Sequence, residues 1–256
     1  MSVHAERIGR LRAAMAARCC AAYIVPGTDP HQSEYVPAAW QRRQWLSGFT
    51  GSRGDVVVTA KRAVLWTDSR YYIQAEGEIE GSGIELFRMG MPGTPNMHEW
   101  LSGALSAGEA VGADPAVLSV EEARDLENAL APADIEVRWL ADNLVDDIWG
   151  DRPPLPTALA SPHALPYAGE SAADKLARLR RAMNSARAGS AAVTALDAIA
   201  WLFNLRGGDI EFNPLLIAYA LVSADNASLF VDRTKVTREL ALSLAGVADL
   251  EPYERF

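Results

Sequence analysis

HAERIGRLRAAMAA (residues 4–17) and ADKLARLRRAMNSA (residues 173–186) carry one pattern twice. Ile8, Leu11 and Met15 in the first segment, and Leu176, Leu179 and Met183 in the second, recur at the spacing that gathers side chains on one face of an α-helix. A short apolar segment follows each helix: AAYIV (residues 21–25) in the first copy and AAVTAL (residues 191–196) in the second. Next come tryptophan segments ending in glycine-rich turns, WLSGFTGSRGD (residues 45–55) and WLFNLRGGDIEF (residues 201–212). Each copy then predicts a hairpin. In the first, residues 56–59 and 64–68 flank a turn at 60–62; in the second, 216–222 and 228–232 flank 223–226. Both hairpins end on an aspartate, Asp68 and Asp232. Four features recurring in one order predict an α/β fold of two related domains, each a mixed β-sheet flanked by α-helices.

Proline, which neither a helix interior nor a central strand accepts, concentrates over residues 151–170. The expected division is a first domain at 1–155, a linker at 156–170 and a second domain at 171–256. Ser171 and Asp174 have the spacing of a capping box and open the second repeat's helix. The first domain carries additions: a helix from the capping box Ser119–Glu122, a strand at 135–139 and a short helix around 143–149.

The chain has 256 residues, 24 Lys and Arg against 33 Asp and Glu, and a net charge of −9. That length fits one large domain or two ordinary ones. The acidic balance disfavours nucleic-acid binding, which draws its affinity from cations on phosphates. Cys19 and Cys20 are adjacent and cannot bridge in ordinary geometry, so they read as buried small hydrophobes of a reducing compartment. No signal-type apolar run opens the sequence, and the longest apolar run, 215–222, is far short of a membrane span. A cytoplasmic protein without a membrane or nucleic-acid partner is expected.

Hydrolytic metal sites need His, Asp or Glu converging on one ion, yet His4, His31, His98 and His163 have no partner at helical or strand spacing. The pairs Glu121-Glu122 and Asp146-Asp147 read as solvated helix faces. The glycine-rich stretch 48–54 precedes a strand and not a helix, so it reads as a tight turn in preference to a phosphate loop. No catalytic residue and no metal ligand set is expected on this chain. Asp29-Pro-His31-Gln-Ser-Glu34-Tyr35, by contrast, is polar and follows the first strand. Open α/β sheets bind ligands beyond the carboxyl ends of strands, so this loop reads as a surface for a peptide or neighbouring domain, or equally as a hydrated loop. Asp68 is placed to cap a helix through Tyr71, leaving Arg70 in its first turn, where a cation gains nothing from the helix dipole and calls for a carboxylate partner.

DPHQSEYV (29–36), WLSGFTGSRGDVVVT (45–59), LWTDSRYYIQAE (65–76), VGADP (111–115), DNLVDDIWGDRPPLP (142–156) and residues 195–222 span nearly the whole chain. Together they resemble the amino-terminal half of Xaa-Pro aminopeptidases, the creatinase-like or pita-bread metallopeptidases, most closely their long three-domain cytosolic branch. The resemblance implies two creatinase-type domains here and a following catalytic domain, absent from this chain, holding two divalent ions, typically manganese. It implies release of the residue preceding a proline, with a peptide carrying proline at its second position as substrate. The amino-terminal domains would then gate access and support homo-oligomer contacts, and His31, Glu34, Arg70 and Tyr71 would face the substrate. The glycine loop departs from the family's usual G-S-A-G-T: Arg53 and Asp55 stand there, and a local ion pair between them is expected. A different class remains open: related folds without metal ligands act as protein-interaction modules, as in a histone chaperone subunit. A third, a creatinase-like amidinohydrolase, would differ only in the catalytic domain.

Overall fold

Ser2 accepts a hydrogen bond from the Ala5 amide and so starts the first helix, whose buried residues are Ile8, Leu11 and Met15, the stripe its spacing predicts. The computed structural model describes residues 2–256, which fall into two units divided between Pro154 and Leu155.

In the first unit the elements run α1 (Val3–Ala17), β1 (Ala22–Val25), α2 (Arg42–Ser47), β2 (Asp55–Thr59), β3 (Ala63–Thr67), α3 (Tyr72–Glu78), β4 (Glu85–Arg88), α4 (Met97–Ala104), β5 (Ala110–Ala113), α5 (Val120–Leu130), β6 (Glu136–Trp139) and α6 (Leu144–Ile148). One six-stranded sheet has the order β4-β3-β2-β1-β5-β6. β2 is antiparallel to both neighbours, and the remaining pairs are parallel. Because strand side chains alternate between faces, Tyr23, Val25, Val56, Val58 and Leu65 pack on one side with Leu11, Leu46 and Leu144 of α1, α2 and α6. Ala22, Ile24, Val57, Val64 and Trp66 pack on the other with Trp100, Leu101, Leu126 and Leu130 of α4 and α5. Helices thus cover both faces.

The second unit contains β7 (Ser161–Pro162), α7 (Leu165–Ala168), α8 (Ala172–Ser185), β8 (Ser190–Val193), α9 (Leu196–Phe203), β9 (Leu205–Arg206), β10 (Ala218–Ser223), β11 (Ala227–Val231), α10 (Arg238–Leu244) and β12 (Asp249–Glu251). The proline-rich stretch is built into it, since β7 pairs with β9. Its main sheet has the order β12-β11-β10-β8, with β8/β10 and β10/β11 antiparallel and β11/β12 parallel. Order and directions match β4-β3-β2-β1, and α3 and α10 occupy the same crossover.

Details of the repeat recur as well. The tryptophan-leucine segments are helical and end in a left-handed residue, Gly48 (φ 82°) after α2 and Asn204 (φ 53°) after α9. Backbones cross closely just beyond: a Cβ on Gly54 would lie 2.6 Å from the Trp66 carbonyl oxygen, and one on Gly207 would lie 2.7 Å from that of Leu215. Each terminal aspartate accepts the amide two residues on, Asp68 from Arg70 (3.0 Å) and Asp232 from Thr234 (2.8 Å).

Several expectations are corrected. Asp68 forms that turn without capping a helix, and α3 begins only at Tyr72, so Arg70 precedes it. Ser171 accepts the Asp174 amide, but its hydroxyl donates to the Asp174 carboxylate (2.6 Å); the aspartate is one methylene short of the glutamate that completes a capping box. Cys20 is buried, whereas Cys19 is exposed in a left-handed conformation (φ 52°). Asp146 is no solvated carboxylate. It accepts both Nε and Nη2 of Arg42 (2.7 Å each) and pairs with Arg152 at 2.6 Å. No described helix is long and apolar enough to cross a membrane.

Candidate functional site

At the carboxyl end of β1 the chain turns through Pro26, Gly27 and Thr28, and this end of the first unit's sheet carries the candidate site. A Cβ on Gly27 would sit 2.5 Å from the Gly54 carbonyl oxygen, so the loops after β1 and before β2 touch backbone to backbone. Asp55 fixes that contact by accepting the Gly27 amide (3.1 Å). Among the described residues no ion pair joins Asp55 to Arg53, correcting the expected local pair: the carboxylate is held by the neighbouring loop instead. Arg43 supports the glycine stretch from below, donating to the carbonyl oxygens of Gly51 and Gly54 with its guanidinium 4.8 Å from the Phe49 ring. Burial pushes its pKa down to about 10.

The loop after β1 is shaped by Asp29, whose Oδ1 accepts the amides of His31 (2.9 Å) and Ser33 (3.0 Å). Thr28 Oγ1 and Gln32 Nε2 both donate to the Val117 carbonyl, tying this loop to the segment after β5. Glu34 thereby reaches a cleft of about 270 Å³ together with Arg70, Arg53, Ser52, Asp55 and Glu122. A larger cavity of about 370 Å³ adjoins it, sharing Thr28, Arg53, Asp55 and Glu122 and walled by Ile24, Trp66, Leu118 and Leu126.

Of the four residues expected to face substrate, Glu34 and Arg70 line the cleft. Tyr71 stands at its margin, its hydroxyl 2.8 Å from that of Ser52. His31 is placed differently: it is only 3% exposed, with its ring 5.8 Å from Trp40. The carboxylate required for Arg70 is Asp68, bound through Nε (3.0 Å) and Nη2 (2.7 Å). Hydrogen bonding to Arg70 lowers the Asp68 pKa, and the same contact, with a smaller contribution from Glu34, raises that of Arg70. Arg53 and Glu122 were not singled out as site residues. Glu122 read as a cap, which it also is, since it accepts the Ser119 amide at 2.8 Å. Nothing in its spacing signals that the start of α5 comes up beside the loop after β1.

Among the described residues, no three His, Cys, Asp or Glu side chains are placed to hold a metal ion. The cleft supplies charged and polar groups and the adjoining cavity supplies apolar walls, which together could recognise a polar chain such as a peptide.

The family model for the creatinase/prolidase N-terminal domain matches residues 7–140, and a second model of the same description matches residues 151–256. The chain belongs to the creatinase/prolidase N-terminal domain family. Within this family it is 44% identical over 237 residues to aminopeptidase P2 of Arabidopsis thaliana, covering 91% of this chain and 33% of the relative. It is 38% identical over 250 residues to a probable Xaa-Pro aminopeptidase P of Aspergillus niger, covering 97% and 41%. The X-prolyl aminopeptidase of Caenorhabditis elegans, described as a cytosolic enzyme with a di-nuclear active site, superposes with a TM-score of 0.96 at 30% identity, covering 100% of this chain and 43% of that one. The chain therefore spans between 33% and 43% of the length of these relatives. The mixed α/β architecture of two related units is as the repeat predicts, and their creatinase type is as the resemblance implies.

Proposed function

We propose that this chain is the amino-terminal portion of a cytoplasmic, metal-dependent Xaa-Pro aminopeptidase that hydrolyses the bond before a proline in second position. In this reading the two units gate peptide access and support homo-oligomer assembly, and the pair of divalent ions, manganese by preference, is held by residues outside this chain. The observation that carries the reading is the whole-chain superposition on the nematode X-prolyl aminopeptidase.

Glu34, Arg70 and Tyr71 are the groups assigned to the peptide, while His31 is buried beside Trp40. Arg70 keeps guanidinium donors beyond Nε and Nη2, which bind Asp68, and these suit a peptide carbonyl or carboxylate. Glu34 suits a peptide cation.

Incubating the 256-residue chain with manganese and a peptide beginning Arg-Pro should release no arginine, whereas the protein extended through its own reading frame should release it. In the extended protein, Arg70→Ala should raise KM several-fold with kcat nearly unchanged, the signature of lost binding shared by ground and transition states. Turnover by the 256-residue chain at stoichiometric metal content would overturn the proposal.

A further inference from the structure

The larger cavity of the first unit, about 370 Å³, has no role in the peptide reading, and none of Glu34, Arg70 and Tyr71 lines it. Its floor is apolar. Ile24 of β1, Trp66 of β3 and Leu126 of α5 line it and are each at most 3% exposed. Another wall is the segment between β4 and α4, which is pinned to β3 at both ends. The Met89 amide donates to the Thr67 carbonyl (2.9 Å), and Trp66 Nε1 donates to the Pro95 carbonyl (3.0 Å). Trp66 is itself held by edge-on packing against Phe87 (5.1 Å) and Trp100 (5.4 Å). The space is thus formed before anything enters it. Small-molecule sites have volumes from roughly 300 Å³ upward, so this one suits a body little larger than one big side chain.

The rim is charged, and unevenly so. Asp55, Glu122 and Asp125, with His98 beside them, line it against the single guanidinium of Arg53. Asp55 accepts the Gly27 amide (3.1 Å) and Glu122 the Ser119 amide (2.8 Å), bonds that leave both charges in place. The Asp125 carboxylate has neither a hydrogen bond nor an ion pair among the described residues. On α5, Asp125 and Leu126 follow Glu122 by three and four residues, so one helix face presents two carboxylates beside an apolar side chain. Like charges that close on a helix repel each other, and a cation seated between them relieves the repulsion.

We propose that this cavity binds an organic cation: an apolar body, aromatic or branched, carrying one ammonium group. The body fills the space bounded by Ile24, Trp66 and Leu126, and the ammonium sits at the rim with Glu122 and Asp125. Met89 and Met97 form part of the wall, and their flexible thioether chains adapt to bodies of different outline, so a class of amines is expected and not one compound. Such a group occurs as a free amine or as the first residue of a peptide. The inference goes beyond the peptidase reading and has a readout independent of activity.

The 256-residue chain, carbon-13-labelled at its methionine methyl groups, is titrated at neutral pH with phenethylammonium, 3-phenylpropionate and phenylalanyl-glycinamide. The cations should give saturable shifts of the Met89 and Met97 signals and leave those of Met15 and Met183, in the cores of the two units, unmoved. The carboxylate should move none of them. Asp125→Asn, at an exposed position, should weaken phenethylammonium roughly fivefold, the scale of one exposed ion pair. Leu118→Trp, which fills the cavity from its half-buried wall, should abolish binding. Equal binding of 3-phenylpropionate, undiminished affinity in Asp125→Asn, or Met89 and Met97 signals that neither cation moves overturns the proposal. Of the two supporting results, tighter binding of phenethylammonium marks the ligand as a free amine, and tighter binding of phenylalanyl-glycinamide marks it as the amino terminus of a peptide.

Discussion

Lys235→Met removes one half of an ion pair that is closed to water: the two side chains are 3% and 0% exposed and 2.8 Å apart. Methionine retains most of the lysine's aliphatic volume, so packing changes little and the electrostatic loss dominates. The Asp209 carboxylate is left with one described donor, the Ile217 amide at 2.7 Å on Oδ2, while its Oδ1 is buried without a partner. Removing one member of a buried pair strands the other charge, a cost of about 3–5 kcal/mol. At the lower bound, with about 1.4 kcal/mol per tenfold, opening of the second unit becomes more than 100-fold more frequent. Native-state hydrogen exchange at the amides of β10 and β11 reads that directly. Asp209→Asn combined with Lys235→Met should recover at least half the loss, since the amide oxygen still accepts from Ile217 and no charge remains. A single-variant cost below about 1 kcal/mol, or a double variant as unstable as the sum of the singles, would refute the reasoning.

The remaining expectations concern the first unit and the repeat. Asp68, held low by its bond to Arg70, should titrate below the ordinary aspartate range by carboxyl NMR, and Arg70→Ala should move the midpoint up. A group with a lowered folded-state pKa contributes stability above its unfolded pKa and loses it as pH falls through the folded one, so this contribution should vanish only at strongly acidic pH. Gly54→Ala and Gly207→Ala should each destabilise their own unit by more than about 1 kcal/mol in urea melts, because the new methyl meets a carbonyl oxygen that belongs to fixed backbone. Asp146→Ala should cost about 3 kcal/mol by stranding Arg42, and thermal denaturation with an unchanged midpoint would contradict that.

Much of the fold was legible because its signals are local. Helical stripes such as Ile8-Leu11-Met15 and β-rich runs flanking short turns need no distant information. The parallel edge strands β4 and β12 escaped because they are three or four residues long and carry Glu85, Arg88, Asp249 and Glu251. The buried charges escaped for a different reason. Arg42 finds Asp146 across 104 residues and Lys235 finds Asp209 across 26, and each looks like a surface group until its partner is placed. At the candidate site, Glu34 and Arg70 could be read from polarity beside a strand end. His31 could not, because whether it points outward depends on Trp40 folding over it. Asp55 misled for the converse reason: an opposite charge two residues away suggested a local pair, while the backbone crossing at Gly27 offered a closer donor.

The left-handed residues that close α2 and α9 stand at matching places, yet a trade between them would fail in both directions. Asn204 also receives the Lys175 ammonium on Oδ1 (2.6 Å) and donates to the Glu170 carbonyl (2.9 Å), so glycine there would keep the bend and release two tethers. Asn at Gly48 would bring a Cβ within 2.7 Å of the His4 ring, which would have to give way. The same bend thus carries two separate dependencies, one on a side chain and one on the lack of one. Recombining the halves of this protein would therefore demand that each helix end travel with its own neighbours.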